Sequence, residues 1–488
     1  LRALLPLALA VVFPAAAETV DIIRDAYGTP HIFASTSAGA AFGAGYAQAE
    51  DRPEALLANL GGDAERIDLP PELKSITEAF ARGVNRSLSV HGSQRTITAA
   101  QVATFARRAY SWILGSNDLI LGRTRTSSAS AIAVLDPLAD WNAPTRPYEM
   151  SLYSNGLSIA GVTPVGMPFP VVGHSANIAI GWAPPPDGKW PLAEPRALEE
   201  AWALLTARNL TEAHRALSMN QIPGRALIAT SAGDLYDSAG ALPEQGYIRR
   251  ASPSAYGDAD AIEQLRVQHT WSFGRVEGLA LSTEVYKAED WLRRIASVAP
   301  GERFARRLAG WNRRADPDSV EALMFYLLKM ELARDAAAVF PPDSVSNSRL
   351  LAALTRAQDR YETELDFNAK FGTLFRITRD GTRESFAAGG GNLPEAGMFT
   401  PRSLAFATPT IKATSTPHLA HSGQAATRIV ELSPTPTASS ILLPGISDDP
   451  QSTHFTDQAE SLATPKRAFF NNRRELERTA SSKKSLIF

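Results

Sequence analysis

Between Asn117 and Ala183 the chain breaks into short apolar runs closed by Asn, Gly or Pro: Ala131-Ile132-Ala133-Val134-Leu135, Met150-Ser151-Leu152-Tyr153, Leu157-Ser158-Ile159-Ala160 and Ile178-Ala179-Ile180. Runs this short and this punctuated cannot make helices and read as strands, so the chain has to bury a sheet. Around it other strands and helices gather. Thr19-Val20-Asp21-Ile22-Ile23-Arg24 alternates like a strand, and Asp25 to Pro30 supplies a turn before His31-Ile32-Phe33, which predicts a hairpin. After Pro70-Pro71, the residues Leu73, Ile76, Phe80, Val84 and Leu88 recur at helical spacing and form one apolar face. A second helix is expected from Ala99 toward Trp112, a third from Ala197 to Leu205, and a fourth capped by Asn209 with Glu212 three residues on.

Ala226-Leu227-Ile228-Ala229 with the Ala232-Gly233-Asp234 turn predicts a further hairpin. Residues 283–365 read as helical, longest from Val320 to Val339 and from Leu350 to Leu365. Strands return at Thr373 to Ile377, before an Asp380-Gly381 turn, and at Thr427 to Leu432, and the tail from Thr479 to Lys484 is expected to be mobile. Sheets flanked by helices, with helical excursions, make a layered α+β body.

The 488 residues contain no cysteine, so a large core must form without disulfides, as roughly three domain-sized units or as one large body. A formal net charge of -2, from 49 basic and 51 acidic residues, gives no electrostatic pull toward nucleic acid or acidic membranes and favours a small, roughly neutral partner. The apolar run from Ala3 to Phe13, followed by Pro14 and Ala15-Ala16-Ala17, reads as an export signal over residues 1–17, and a periplasmic or secreted protein is expected.

Gly115-Ser116-Asn117 stands just ahead of the strand-like Leu119-Ile120-Leu121. If the Gly115–Ser116 bond is cut, Ser116 becomes an amino terminus carrying both a hydroxyl and an α-amine, whose pKa of roughly 7.7 to 8.0 lets it accept a proton at neutral pH. Such a serine needs no histidine. Glycine ahead of it tolerates the backbone strain of an attack on its own carbonyl.

The order of the motifs resembles the penicillin acylase family, which includes acylases of acyl-homoserine lactones and lipopeptides. The resemblance rests on Arg24-Asp25-Ala26-Tyr27-Gly28-Thr29-Pro30-His31-Ile32, Phe42-Gly43-Ala44-Gly45-Tyr46-Ala47-Gln48-Ala49-Glu50-Asp51-Arg52, Gly115-Ser116-Asn117, Asp136-Pro137, Trp141-Asn142-Ala143-Pro144, Gly161-Val162-Thr163-Pro164 and Gly173-His174. Ser422-Gly423-Gln424, Leu443-Pro444-Gly445, Asp449-Pro450, His454-Phe455 and Asp457-Gln458 extend it toward the end. It implies an N-terminal-nucleophile hydrolase with a four-layer αββα sandwich of two stacked antiparallel sheets. Self-cleavage would leave a light subunit over 18–115 and a heavy one over 116–488, the latter with a helical insertion at about 283–365. Ser116 would attack an amide carbonyl, its amine would move the proton, and water would release the acyl-enzyme.

The same resemblance exposes departures. Where the family places His or Gln after Asp-Pro stands Leu138, which has no hydrogen-bonding group. Gap-free counting sets the oxyanion donor at Pro184, which has no N–H, and a one-residue shift to Ala183 restores it. The asparagine expected to complete the hole has no counterpart between Gln221 and Trp311, and of the acidic calcium ligands only Asp187 is left, so neither metal nor cofactor is expected. Two readings follow: an amidase acting on a small N-acyl amide, or a silent relative that binds an acylated ligand or partner. Leu138, Ala139 and Val172 are the acyl-pocket candidates, apolar and in part small, which suits a hydrocarbon tail.

Other motifs are weaker. Gly173-His174-Ser175-Ala176-Asn177 imitates a nucleophile elbow but is followed by a strand and prolines instead of a helix, so a strand turn is expected. His418 and His421 lack a third ligand nearby and read as loop histidines. Gly389-Gly390-Gly391-Asn392 reads as a flexible turn, Ser481-Ser482-Lys483-Lys484 as a solvated basic end, and Arg24, Asp51 and Arg52 as anchors between the two subunits.

Overall fold

The computed structural model describes residues 17–243, 245–250, 255–334, 341–366, 368–380, 384–406, 416–459, 467–468 and 473–488. The expected signal segment up to residue 16, the end of the Val320–Val339 run and Gly381 of the expected turn lie outside them.

The longest sheet has nine strands, in the order Leu235–Asp237, Arg225–Thr230, Ile178–Ala183, Val172–His174, Leu157–Pro164, Pro147–Ser154, Pro30–Phe33, Thr19–Arg24 and Ser482–Ile487. Every ladder is antiparallel except that between Pro30–Phe33 and Pro147–Ser154. On one face lies the helix Ser37–Asp51, packed on strands Thr19–Arg24, Pro30–Phe33 and Pro147–Ser154 and covered in turn by the helix Pro71–Val90. Against the other face sit strands Gly115–Ser116, Ile132–Leu135 and Pro137–Asp140, all of which meet Ile178–Ala183. Helix Phe273–Ala280 closes the stack on Ile132–Leu135 and Ala426–Glu431. The order helix, sheet, sheet, helix makes the α+β fold a four-layer one.

The second β layer differs from the single sheet expected. It holds a six-stranded ladder running from Tyr247–Arg249 through Leu119–Leu121, Ile132–Leu135, Ala426–Glu431 and Thr437–Leu442 to Arg467–Ala468. Beside it is a separate ladder built on His418–Gln424, which takes Phe375–Thr378, in parallel, and then Pro137–Asp140 along one edge and Leu404–Phe406 along the other. Asp136 marks the division, because the chain leaves one ladder at Leu135 and enters the other at Pro137.

Local chemistry explains the elements that matched expectation. Asn209 accepts from the Glu212 amide and starts the helix Leu210–Leu217. The alternation in Thr19–Arg24 buries Val20 and Ile22 against the core. Three expectations are corrected. The helix from Ala99 ends at Ala106, after which the chain winds through turns to Trp112. The tail is a strand, Ser482–Ile487, paired along all of Thr19–Arg24, with the Phe488 ring against Phe42 and under the Arg82 guanidinium. His418 and His421 lie in a strand, where residues three apart face opposite sides and cannot share a ligand.

Helices Ala288–Val298, Arg303–Leu308, Val320–Ala333 and Asn347–Glu364 share a core of their own around Trp291, Trp311, Phe325 and Leu350. Lys329 is buried in it with its ammonium 4.0 Å from the Trp291 ring centre, and burial pushes its pKa down to about 7. The unfolded chain therefore binds more protons than the native one between about pH 7 and the ordinary lysine value, and stability should rise with pH across that window and level off below it. Urea melts at pH 7 and pH 9 should show a higher midpoint at pH 9. Lys329→Met should flatten that difference and stabilise the protein at pH 7 by on the order of 1 to 3 kcal/mol, each pKa unit being worth about 1.4 kcal/mol.

Candidate active site

Ser116 lies where the two β layers meet. Gly115 and Ser116 form a two-residue strand antiparallel to Pro137–Asp140, with Gly115 opposite Leu138 and Ser116 opposite Pro137. Two backbone hydrogen bonds bracket the pair: the Leu114 amide donates to the Leu138 carbonyl at 2.8 Å, and the Asn117 amide to the Asp136 carbonyl at 2.9 Å. Upstream, the Trp190 indole N–H donates to the Ile113 carbonyl at 2.7 Å, and downstream Arg249 donates to the Asn117 carbonyl at 2.8 Å. The Gly115–Ser116 peptide is thus held on both sides, with Leu114 57% exposed and Ser116 only 2% exposed.

Residues two apart on extended backbone share a face, so Ser116 and Asp118 point the same way. The Ser116 hydroxyl stands beside the Asp118 carboxyl and helps lower its pKa, although neither Ser116 Oγ nor Asp118 Oδ2 closes a hydrogen bond of normal geometry within the protein. Asp118 Oδ1 accepts from the Asp136 amide at 2.8 Å. Space for Oδ2 comes from Gly181 in the facing sheet, where a Cβ would stand 2.6 Å from that oxygen. Burial raises the Asp118 pKa, against the charges of Arg250 and Arg249 and the Asp136 amide.

A second carboxylate lies alongside. Asp136 accepts from Thr427 Oγ1 and from Gln424 Nε2, each at 2.7 Å, and Gln424 Nε2 also donates to the Ala280 carbonyl at 3.2 Å. Burial lifts the Asp136 pKa to about 6, the nearby Asp118 charge adding to the rise while the two hydrogen bonds and Arg249 oppose it. A serine beside a buried carboxyl of raised pKa, itself coupled to a second one, is an arrangement for moving a proton off a hydroxyl.

The other expected site residues fall less closely together. Leu138 is tied to Gly115 by the ladder, and Ala139 pairs with Gly423 one step on. Ala183 ends the strand Ile178–Ala183 opposite Arg225, two residues beyond Gly181. Val172 pairs with Val162 in the nine-stranded sheet. All four are buried, and neither they nor Ser116 line any of the three cavities described. The largest of these three, about 920 Å³, is lined by Trp271, Arg275, Leu279, Ser282, Lys287 and Arg314, and shares helix Phe273–Ala280 with the Gln424 contact. Ser175 caps the turn between two strands, its amide bonded to the Ile178 carbonyl, as its surroundings predict.

A family model described as penicillin amidase matches residues 19–58, 89–184 and 258–469, which takes in the opening hairpin, Ser116, Gly181 and the Gln424 segment. The chain belongs to the penicillin amidase family. Penicillin G acylase of Escherichia coli is similar at 29% identity over 116 residues, which are 24% of this chain and 14% of that protein, so the match spans a small part of the relative's length. Among solved structures, a thermostable penicillin G acylase from Alcaligenes faecalis in orthorhombic form covers 75% of this chain and 98% of its own, with a TM-score of 0.47 and 13% identity.

Within the penicillin amidase family member described here, sequence reasoning found Gly115, Ser116 and Asp136-Pro137 but assigned no role to Asp118, Gln424, Thr427 or Arg249. The signal available for Asp118 was its spacing, a carboxylate two residues after a serine ahead of a strand. Arg24, Asp51 and Arg52 serve as structural ties. Arg24 bridges Glu50 and Asp51, Asp51 accepts from the Tyr148 hydroxyl, and Arg52 donates to the carbonyls of Ile446 and Arg146. The bonds of Asp51 with Tyr148 and of Arg52 with Ile446 and Arg146 bind residues before Gly115 to residues after Ser116.

Proposed function

We propose that the chain is a precursor cut between Gly115 and Ser116, and that the freed Ser116 hydrolyses an N-acyl amide through an acyl-enzyme. The observation that carries this reading is the placement of the Gly115–Ser116 peptide in a family member: bracketed by hydrogen bonds, exposed on its Leu114 side, and set beside the buried Asp118 carboxyl. In the continuous chain the hydroxyl is enclosed, so a substrate amide cannot approach it until the Leu114–Gly115 end withdraws. Once it does, the Ser116 amine supplies the base and Oγ the nucleophile. Leu138 and Ala139, next to the vacated strand position, are the apolar residues that would meet the acyl group, with the Ala183 amide as the oxyanion donor of this scheme.

Residues 18–115 and 116–488 are then the light and heavy pieces of one processed precursor, exported to the periplasm or secreted, with no metal or cofactor in the reaction. Among the described residues no helix is long and apolar enough to cross a membrane.

The test is the intact mass of the full-length protein together with N-terminal sequencing of its pieces. Two polypeptides, one starting at Ser116, and release of amine from acyl amides of increasing chain length are the expected results. A single uncut chain without hydrolysis would instead fit the second reading, a silent relative that binds an acylated ligand. The enclosed hydroxyl favours that reading, as does a leucine at the position after Asp136-Pro137.

A further inference from the structure

Before the chain is cut, the Ser116 nitrogen is a peptide nitrogen and cannot act as a base, so the first cleavage needs a proton acceptor other than the one used in turnover. Asp118 Oδ2 is a buried carboxylate oxygen that closes no hydrogen bond of normal geometry, and the buried Ser116 hydroxyl, which helps lower the Asp118 pKa, stands beside that carboxyl. Gly181 leaves the room that this oxygen occupies, and the Asp136 amide fixes the carboxyl through its other oxygen at 2.8 Å. The two oxygens of Asp136, by contrast, are both taken, by Thr427 and Gln424. We infer that Asp118 is the general base of self-cleavage, a role confined to the precursor and resting on the processing proposed above.

In this step Asp118 Oδ2 takes the Ser116 hydroxyl proton while Oγ adds to the Gly115 carbonyl carbon. The tetrahedral adduct collapses with breakage of the Gly115–Ser116 C–N bond, and the leaving nitrogen receives that proton from Asp118. Water then hydrolyses the ester between the Gly115 acyl group and Oγ, giving a Gly115 carboxylate and a Ser116 with free hydroxyl and amine. Burial makes Asp118 a stronger base than an exposed carboxylate, and the charges facing it, Arg249, Arg250 and Asp136, set how far.

The experiment follows cutting of the newly translated full-length chain by gel and intact mass, for the wild type, Asp118→Asn and Asp118→Ala. Asp118→Asn keeps an oxygen to accept from the Asp136 amide but loses the base, and should cut at least about 100-fold more slowly, in the range expected for general base catalysis. Formate, a small carboxylate, should restore cutting of Asp118→Ala in a dose-dependent way, which a merely structural role would not allow. Melting curves identify a variant that fails to fold. In that event the wild-type cutting rate decides: a rise with pH to a plateau through one ionisation supports the inference, and a flat profile rejects it. Asp118→Asn cut at the wild-type rate overturns this inference alone, whereas a wild-type chain that is never cut overturns the processing proposal as well.

Discussion

Ser116→Ala should leave a single polypeptide across the 115–116 junction and abolish amide hydrolysis, because in the proposed scheme one atom, Oγ, performs both the self-cleavage and the later attack. Loss of a catalytic nucleophile costs about 10⁶ in rate in comparable hydrolases, which puts the residue's contribution far above background. The fold should be unaffected. Ser116 Oγ closes no hydrogen bond of normal geometry and stands beside the Asp118 carboxyl, whose other oxygen keeps the Asp136 amide, so replacing it removes an enclosed polar atom at little cost. An unchanged melting curve with absent cleavage and absent hydrolysis is the expected combination. Cleavage that persists in Ser116→Ala would mean that another protease makes the cut. Hydrolysis that persists would place the nucleophile elsewhere.

The candidate nucleophile was legible because its signal is local: a glycine, a serine and the start of a strand are adjacent in sequence. Its surroundings were not. Gln424, Thr427, Arg249 and Gly181 reach Asp118 and Asp136 from segments far along the chain, through ladders whose register no single segment reveals. The acyl-pocket candidates illustrate the same limit. Leu138 and Val172 look alike as apolar residues beside matched motifs, yet one pairs with Gly115 while the other pairs with Val162 in the facing sheet.

The fold was read best where a period was strong. The single apolar face of Pro71–Val90 and the cap at Asn209 predict their helices, and alternation predicts Thr19–Arg24. The helix Ser37–Asp51 went unread because it is buried on nearly every side and so rich in alanine and glycine that it has no polar face to define a period. The tail was misread because Lys483 and Lys484 suggest solvent, while its pairing depends on an edge strand far upstream, Thr19–Arg24.

That unread helix is also where the fold should be most sensitive. It crosses Pro71–Val90 at mutual glycines: a Cβ on Gly83 would lie 1.9 Å from the Phe42 carbonyl oxygen, and one on Gly45 2.2 Å from the Phe80 carbonyl oxygen. Those oxygens belong to helical backbone and cannot rotate away, so even one methyl has to push the helices apart and loosen the contacts that Ser37–Asp51 makes with the nine-stranded sheet. Overpacking against yielding side chains costs about 1 to 3 kcal/mol, and Gly83→Ala should exceed that range, lowering the melting midpoint by about 3 °C or more. Gly278 is the internal control, being a helical glycine whose added Cβ would meet nothing within 4 Å. Gly278→Ala should stabilise by roughly 0.5 to 1 kcal/mol through lost chain entropy. The same chemical change is therefore expected to act with opposite sign at the two positions. If Gly83→Ala melts like the wild type, the two helices do not approach this closely, and the layer that backs the nine-stranded sheet is packed in some other way.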